Sequence, residues 1–190
     1  MPNVIIIAGP NGAGKTTAAP FLLQRAFAVK QFVNADFIAH GISVFDPDTA
    51  AVEAGRVMLK RLHQLAEERA NFAFETTLAS RTFAPWIAKL KETGYSFYLD
   101  YLWVPSANLA VTRVAERVSL GGHHVEEATI RRRYERGLQN FFRVYAPLAD
   151  GWRFYDNRRS EGPRLVAEGN GSGTMGVTDR DIWELVQKCR

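Results

Sequence analysis

The chain has 190 residues, 46% hydrophobic and 23% charged, a balance that fits one globular domain with a real core. Its single cysteine, Cys189, excludes an internal disulfide and a Cys-rich zinc site and suits a reducing cytoplasm. No apolar stretch reaches membrane-span length, the short N-terminal apolar run lacks the basic leader of a secretory signal, and a net charge of +4 admits a nucleic-acid or a polyphosphate partner.

Val4-Ile5-Ile6-Ile7-Ala8 is apolar and β-branched and reads as a buried strand. It enters a glycine-rich turn, after which Thr17 to Leu23 carries apolar residues at helical spacing. Lys30 to Asn34 predicts a short strand, and Phe37 to His40 a brief helix. Asp46 as N-cap and Pro47 at N1 predict the start of a helix running to about Arg69, with Ala54, Met58, Leu62 and Leu65 as its buried stripe. Asn71 to Glu75 reads as a buried strand ending on a carboxylate. Residues 82–93 form a helix stopped by Gly94. Tyr95 to Val104, the longest aromatic and β-branched run, predicts a central strand, followed by a helix to about Val118.

Gly121-Gly122-His123-His124 breaks that helix. Glu126 to Phe142 is again helical, with Ile130, Tyr134, Leu138 and Phe141 on one face. Trp152 to Asn157 reads as the last core strand, and the glycine-rich stretch through Gly176 as a hairpin or flexible loop. Thr178-Asp179 caps a terminal helix whose face is Ile182, Leu185 and Val186. Alternating strands and helices predict an α/β fold with a central, mostly parallel sheet flanked by helices. With no repeat or linker, residues 1–190 read as one domain carrying an Arg-rich helical lid at about 119–142.

The turn after the first strand is Gly9-Pro10-Asn11-Gly12-Ala13-Gly14-Lys15-Thr16, a match to G-x-x-x-x-G-K-[ST]. Strand, glycine loop and helix stand in the order phosphate binding needs. Backbone N–H groups and the helix N-terminus close on phosphate oxygens, Lys15 reaches the β- and γ-phosphates, and the Thr16 hydroxyl binds Mg²⁺. The fold expected is that of a P-loop NTPase of nucleotide-kinase type, with ATP or GTP and Mg²⁺ bound.

Phosphoryl transfer also needs an oriented nucleophile and positive charge at the transferring group. Asp36 and Glu75 stand at ends of predicted strands, where ligands of parallel sheets sit. Asp36 could accept a hydroxyl proton, hold Mg²⁺ through water, or only cap the following helix. Glu75 could serve the metal, bind substrate, or play a structural part. Asp100 lies mid-strand and reads as a buried, paired residue. Arg113, Arg117, Arg131, Arg132, Arg133 and Arg136 flank the glycine hinge, where a lid would bring guanidinium groups to developing charge.

These residues resemble the zeta-toxin family of P-loop kinases, particularly its short bacterial members. The matching stretches are 9–17, Asn-Ala-Asp at 34–36, Phe-Glu-Thr-Thr-Leu at 74–78, Arg-Val-x-x-Gly-Gly-His-x-Val at 117–125, Ile-Arg-Arg-Arg-Tyr at 130–134 and Tyr-Asp-Asn at 155–157. Glu126 stands where relatives carry proline, and Arg158 where they often carry serine. The resemblance implies ATP- or GTP-dependent phosphorylation of a hydroxyl on a sugar nucleotide such as UDP-N-acetylglucosamine. It implies Asp36 as general base, Glu75 and Thr76 as substrate-binding residues, and Arg117 with one of Arg131, Arg132 or Arg133 as phosphate clamps, Arg133 being the one that keeps the register of the Arg-Arg-Tyr motif. Thr17 and Asn157 join the nucleotide site, with Tyr155-Asp156-Asn157 passing the adenine. An antitoxin protein is the implied partner. Two alternatives remain: a kinase of nucleic-acid ends or another metabolite, for which no interleaved basic-aromatic surface speaks, and a nucleotide-bound module held by an antitoxin.

Overall fold

The computed structural model describes residues 1–24, 29–43, 49–159 and 161–188. Asp46, Pro47 and Cys189 lie outside the described residues. The elements are β1 (Asn3–Ala8), α1 (Lys15–Gln24), β2 (Gln31–Val33), α2 (Ala35–Ile42), α3 (Ala51–Glu67), β3 (Phe72–Thr76), α4 (Phe83–Glu92), β4 (Ser96–Trp103), α5 (Ala107–Ser119), α6 (Glu127–Asn140), α7 (Ala146–Leu148), β5 (Gly151–Asp156), β6 (Arg164–Asn170), β7 (Gly173–Val177) and α8 (Arg180–Gln187). No helix among the described residues is long and apolar enough to cross a membrane.

The strands form one sheet in the order β2-β3-β1-β4-β5-β6-β7. The first five run parallel, and β6 and β7 extend the sheet as an antiparallel hairpin. β1 is buried at every residue because both its faces are covered. Its side chains alternate: Val4, Ile6 and Ala8 join the larger core, while Ile7 joins the smaller one on the opposite face. The larger core gathers Met58, Leu62 and Leu65 of α3, Ile87 and Leu90 of α4, and Ile182, Trp183 and Val186 of α8. The smaller core takes Ala18 and Leu22 of α1 and Ala110 and Val114 of α5. β1 pairs with β3 on one side and β4 on the other. The connection leaving β1 runs to β2 on one side and the connection leaving β4 runs to β5 on the other, so the crevice at their carboxyl ends is the switch point where such sheets bind ligands.

α6 changes face. Ile130 packs in the smaller core and Leu138 in the larger one, so the helix crosses above the carboxyl edge of the sheet with Arg133 between these anchors. It then passes into a π-helical turn over Phe141–Tyr145 rather than running on to Phe142 as α-helix. The sheet also continues past β5. Val166 and Ala167 of β6 are fully buried, so the glycine-rich stretch forms a hairpin and β5 is not the last core strand. On α8 the buried face is Ile182, Trp183 and Val186, while Leu185 is 51% exposed. Trp183 takes its place by stacking on Trp152 at 5.5 Å, a contact that periodicity alone leaves invisible. Asp100 is buried and held by both nitrogens of the Arg153 fork at 2.7 Å. Burial pushes its carboxyl up, against the opposing pull of Arg153.

Candidate active site

The glycine loop fills the crevice between β1 and α1. Gly9 has φ +144°, and a Cβ there would stand 2.2 Å from the Leu102 carbonyl oxygen, so β4 presses directly on the loop. Gly14 has φ +78°, and its Cβ would meet the Asn157 side chain at 2.6 Å. That asparagine, buried just past the end of β5, donates from Nδ2 to the Ala13 carbonyl at 2.7 Å and thereby stakes the loop from the far side. Lys15 is only 7% exposed. Its Nζ donates to the Pro10 carbonyl at 2.9 Å and stands 3.6 Å from Glu75 Oε1.

Glu75 reaches the loop through strand register: β3 pairs with β1 so that Glu75 faces Ile7, one residue before the strand ends. Glu75 Oε2 accepts from Thr16 Oγ1 at 2.9 Å and from Asn34 Nδ2 at 2.8 Å. The other end of the Asn34 amide caps α2, with Oδ1 accepting from the backbone N–H of Asp36 at 2.7 Å and of Phe37 at 3.3 Å. One side chain thus fixes both carboxylate-bearing segments against each other. Asp36, in the first turn of α2, faces a cavity of 190 Å³ that Lys15, Glu75, Thr76 and Arg133 also line. Among the described residues no hydrogen bond engages the Asp36 carboxylate.

Arg133 enters this cavity from α6 and donates to Asn11 Oδ1 at 3.2 Å. Burial draws its pKa down, the Asp36 carboxylate opposes this, and Arg132 adds to the lowering. A guanidinium stays charged regardless, so a partly desolvated cation faces the loop. Its neighbours point elsewhere: Arg131 binds Glu127 and Asn108 at 2.8 Å each, and Arg132 binds Thr129 at 3.3 Å. Arg117 does not line the cavity. It donates to the His123 carbonyl at 2.7 Å, and its buried Nε has no hydrogen-bond partner among the described residues.

A second cavity, of 490 Å³, opens on the opposite side of the loop, lined by Gly12, Gly14, Thr17, Phe21, Arg113 and Asn157 among others. Arg113 belongs here rather than with the cluster over the loop. It donates to the carbonyls of Asn157 and Arg158 at 2.8 Å each, which orders the chain beyond β5. Phe21 carries no signal in the sequence beyond its place on α1. Asn34 could have been found as an Asx residue one position ahead of a helix. The Thr16 hydroxyl and the Glu75 carboxylate are hard oxygen donors of the kind Mg²⁺ takes, together with phosphate and water. Among the described residues no cluster of three or more His, Cys, Asp or Glu could hold a metal.

Residues 4–138 match the sequence model of the AAA domain family AAA_33. An uncharacterized protein of Haemophilus influenzae (strain ATCC 51907 / DSM 11121 / KW20 / Rd) is 29% identical over 130 residues, 68% of this chain and 91% of that protein. A chain of the AvrRxo1-ORF1:AvrRxo1-ORF2 complex crystallised with sulphate ions superposes over all of this chain with a TM-score of 0.73 at 16% identity. The same complex crystallised with ATP gives 0.72. This chain spans 65% of the length of that structure's chain. A chain from the PezAT chromosomal toxin-antitoxin system of Streptococcus pneumoniae superposes with a TM-score of 0.64 at 15% identity, covering 100% of this chain and 86% of that one. Sheet order, glycine loop and family match agree: the fold is an α/β P-loop NTPase fold, and the chain belongs to the AAA domain family AAA_33.

Proposed function

We propose that the protein is a kinase that transfers the γ-phosphoryl group of ATP or GTP to a hydroxyl of a small molecule. The observation that carries this reading is the pair of cavities meeting at one glycine loop. The larger one, past Gly14 and Asn157, suits a nucleoside, and the smaller one, around Asp36 and Arg133, suits an acceptor. A nucleotide hydrolase or switch needs only the first.

In this reading Lys15 and the loop amides hold the β- and γ-phosphates. Asp36 orients the acceptor hydroxyl and takes its proton as the acceptor oxygen bonds to Pγ and the bond from Pγ to the bridging oxygen breaks, leaving the nucleoside diphosphate. Arg133 neutralises charge spreading over the transferring group. Thr16, with Glu75 behind it, would hold Mg²⁺, which would supply Lewis-acid stabilisation of the charge that develops in the transfer. Glu75 and Thr76 would contact the acceptor beside Asp36. Arg117 would join Arg133 once the segment from about 119 closes as a lid.

A sugar nucleotide such as UDP-N-acetylglucosamine is the acceptor that the zeta-toxin resemblance favours. A protein partner is the second reading, since PezAT is a toxin-antitoxin system and AvrRxo1-ORF1 is seen with AvrRxo1-ORF2. An antitoxin would then cover the nucleotide site in the cytoplasm. The test of the kinase reading is transfer of ³²P from Mg-ATP to a panel of sugar nucleotides and a bacterial metabolite extract. Asp36→Asn lowers transfer by ~10²–10⁴ while ATP still binds. Transfer by the Asn variant at the wild-type rate removes Asp36 as base.

A further inference from the structure

The cavity at Asp36 measures 190 Å³, which is below the ~300–1,000 Å³ usual for a small-molecule pocket. It has room for the reacting end of an acceptor and not for the whole. Two of its walls, Met58 and Phe83, also line a separate groove of 380 Å³ between α3 and α4. The groove alone lies within the usual range, and Met58 and Phe83 are the partition between it and Asp36.

The groove is mostly apolar, with Arg56, His63 and Thr82 also in its lining, and its apolar row is built by helical spacing. Val52, Gly55 and Leu59 recur at intervals of three and four along α3, a second row beside the buried stripe of Ala54, Met58, Leu62 and Leu65, of which Met58 and Leu62 form the groove's floor. Val52 is 70% exposed and Leu59 45% exposed, and Trp86 of α4 stands half-buried across from them. Gly55 is the notch in this row. A glycine inside a helix costs about 1 kcal/mol against alanine, and among the described residues no neighbour requires it, because a Cβ at Gly55 would meet none of them within 4 Å. The glycine keeps open a space that the protein itself does not fill.

Building on the kinase reading above, we propose that the acceptor is an alcohol with an apolar body. The body lies in the groove between α3 and α4, and its hydroxyl passes Met58 and Phe83 to reach Asp36. Gly55, Leu59 and Trp86 then determine which acceptors are used.

The test uses the whole protein, Mg-ATP and linear primary alcohols from ethanol to octan-1-ol. With wild-type protein kcat/KM rises about fourfold per added methylene, the burial free energy of one CH₂ expressed as a rate ratio. Gly55→Phe fills the notch and flattens the series, while ATP binding, read at the glycine loop, stays unchanged. Leu59→Ser, at an exposed position that leaves folding intact, makes the series shallower. Binding is read separately with 6-bromohexan-1-ol, whose bromine quenches indole on contact. Trp103, Trp152 and Trp183 are buried, so the quenching reports Trp86, and Gly55→Phe abolishes it. Transfer to polyols or sugar nucleotides with a flat alcohol series overturns the groove proposal alone. Quenching without transfer to any acceptor overturns the kinase reading and leaves the groove a binding site. Absence of both overturns both.

Discussion

Arg133 and Glu75 are the residues whose charges the proposed reaction uses most directly, and each has a neighbour that serves as its control. Arg133→Ala should lower kcat by ~10³ while the Kd for ATP changes by no more than a few-fold, because the guanidinium counts most where charge develops. Arg131→Ala, two positions away on a solvated face, should leave both unchanged, and single-turnover transfer with a fluorescent-ATP titration separates the cases. Glu75→Gln removes the charge opposite Lys15 and behind Thr16. The Mg²⁺ concentration for half-maximal rate should rise at least about tenfold. Much at this scale was legible in the sequence. The glycine loop has a fixed spacing, Glu75 stands at the end of β3, and Asp36 falls in the first turn of the helix after β2, close to the strand end the sequence suggests. The Arg-Arg-Tyr register singled out Arg133 from its neighbours, and the structure turns that one toward Asn11. The double role of Asn34 was not legible, because it exists only once β2 and β3 lie side by side.

Among the elements, α6 and the π-turn after it grip the loop that follows β3. Asn140 donates to the Leu78 carbonyl at 2.9 Å and accepts from Arg81 at 3.0 Å, and Tyr145 donates to the Ser80 carbonyl at 2.6 Å. Gly137 lies so close that a Cβ would stand 2.5 Å from the Thr77 carbonyl oxygen. The helix bearing Arg133 is thereby tied to the segment bearing Thr76 and Thr77. Asn140→Ala strands a buried carbonyl and should cost ~1–3 kcal/mol in urea unfolding. Gly137→Ala should cost a similar ~1–3 kcal/mol, and should also lower kcat/KM, since the loop must shift to admit the methyl group. The spacing of Ile130, Tyr134, Leu138 and Phe141 made the helix legible. The π-turn was not, because its extra residue serves the packing of Phe141 against Tyr101, Trp152 and Phe154 on two other strands.

Across the whole molecule the sheet core is rich in buried tyrosine. Burial pushes Tyr145 up to about 12 and also raises Tyr95 and Tyr101. Their unfolded values lie near 10. A group held neutral in the fold and freed to ionise on unfolding stabilises fully below the lower value and loses that contribution as pH rises toward the higher one. Stability should therefore be insensitive to these groups below about pH 10 and fall between about pH 10 and 12. Urea midpoints at pH 9, 10 and 11 measure this, and Tyr145→Phe should give a shallower decline from a lower starting point. The parallel half of the fold was legible because its strands are continuous apolar runs. The hairpin of β6 and β7 was not settled, since its glycines fit either a loop or a sheet edge. The choice falls to the sheet because Val166 and Ala167 find a core waiting beside β5.

The hydrogen bond from Asn157 to the Ala13 carbonyl joins residues 144 positions apart. It gives the protein a chronology. The glycine loop is among the first segments made, yet its last support arrives with the final parallel strand, after most of the chain has been laid down. Contacts so distant in sequence form late, once the loop-closure entropy between them has been overcome. The shape of the glycine loop is thus a property of the finished sheet rather than of the local motif. In a refolding experiment the recovery of ATP binding should trail the recovery of helical signal, and a chain truncated before β5 should keep the motif and lose the ligand.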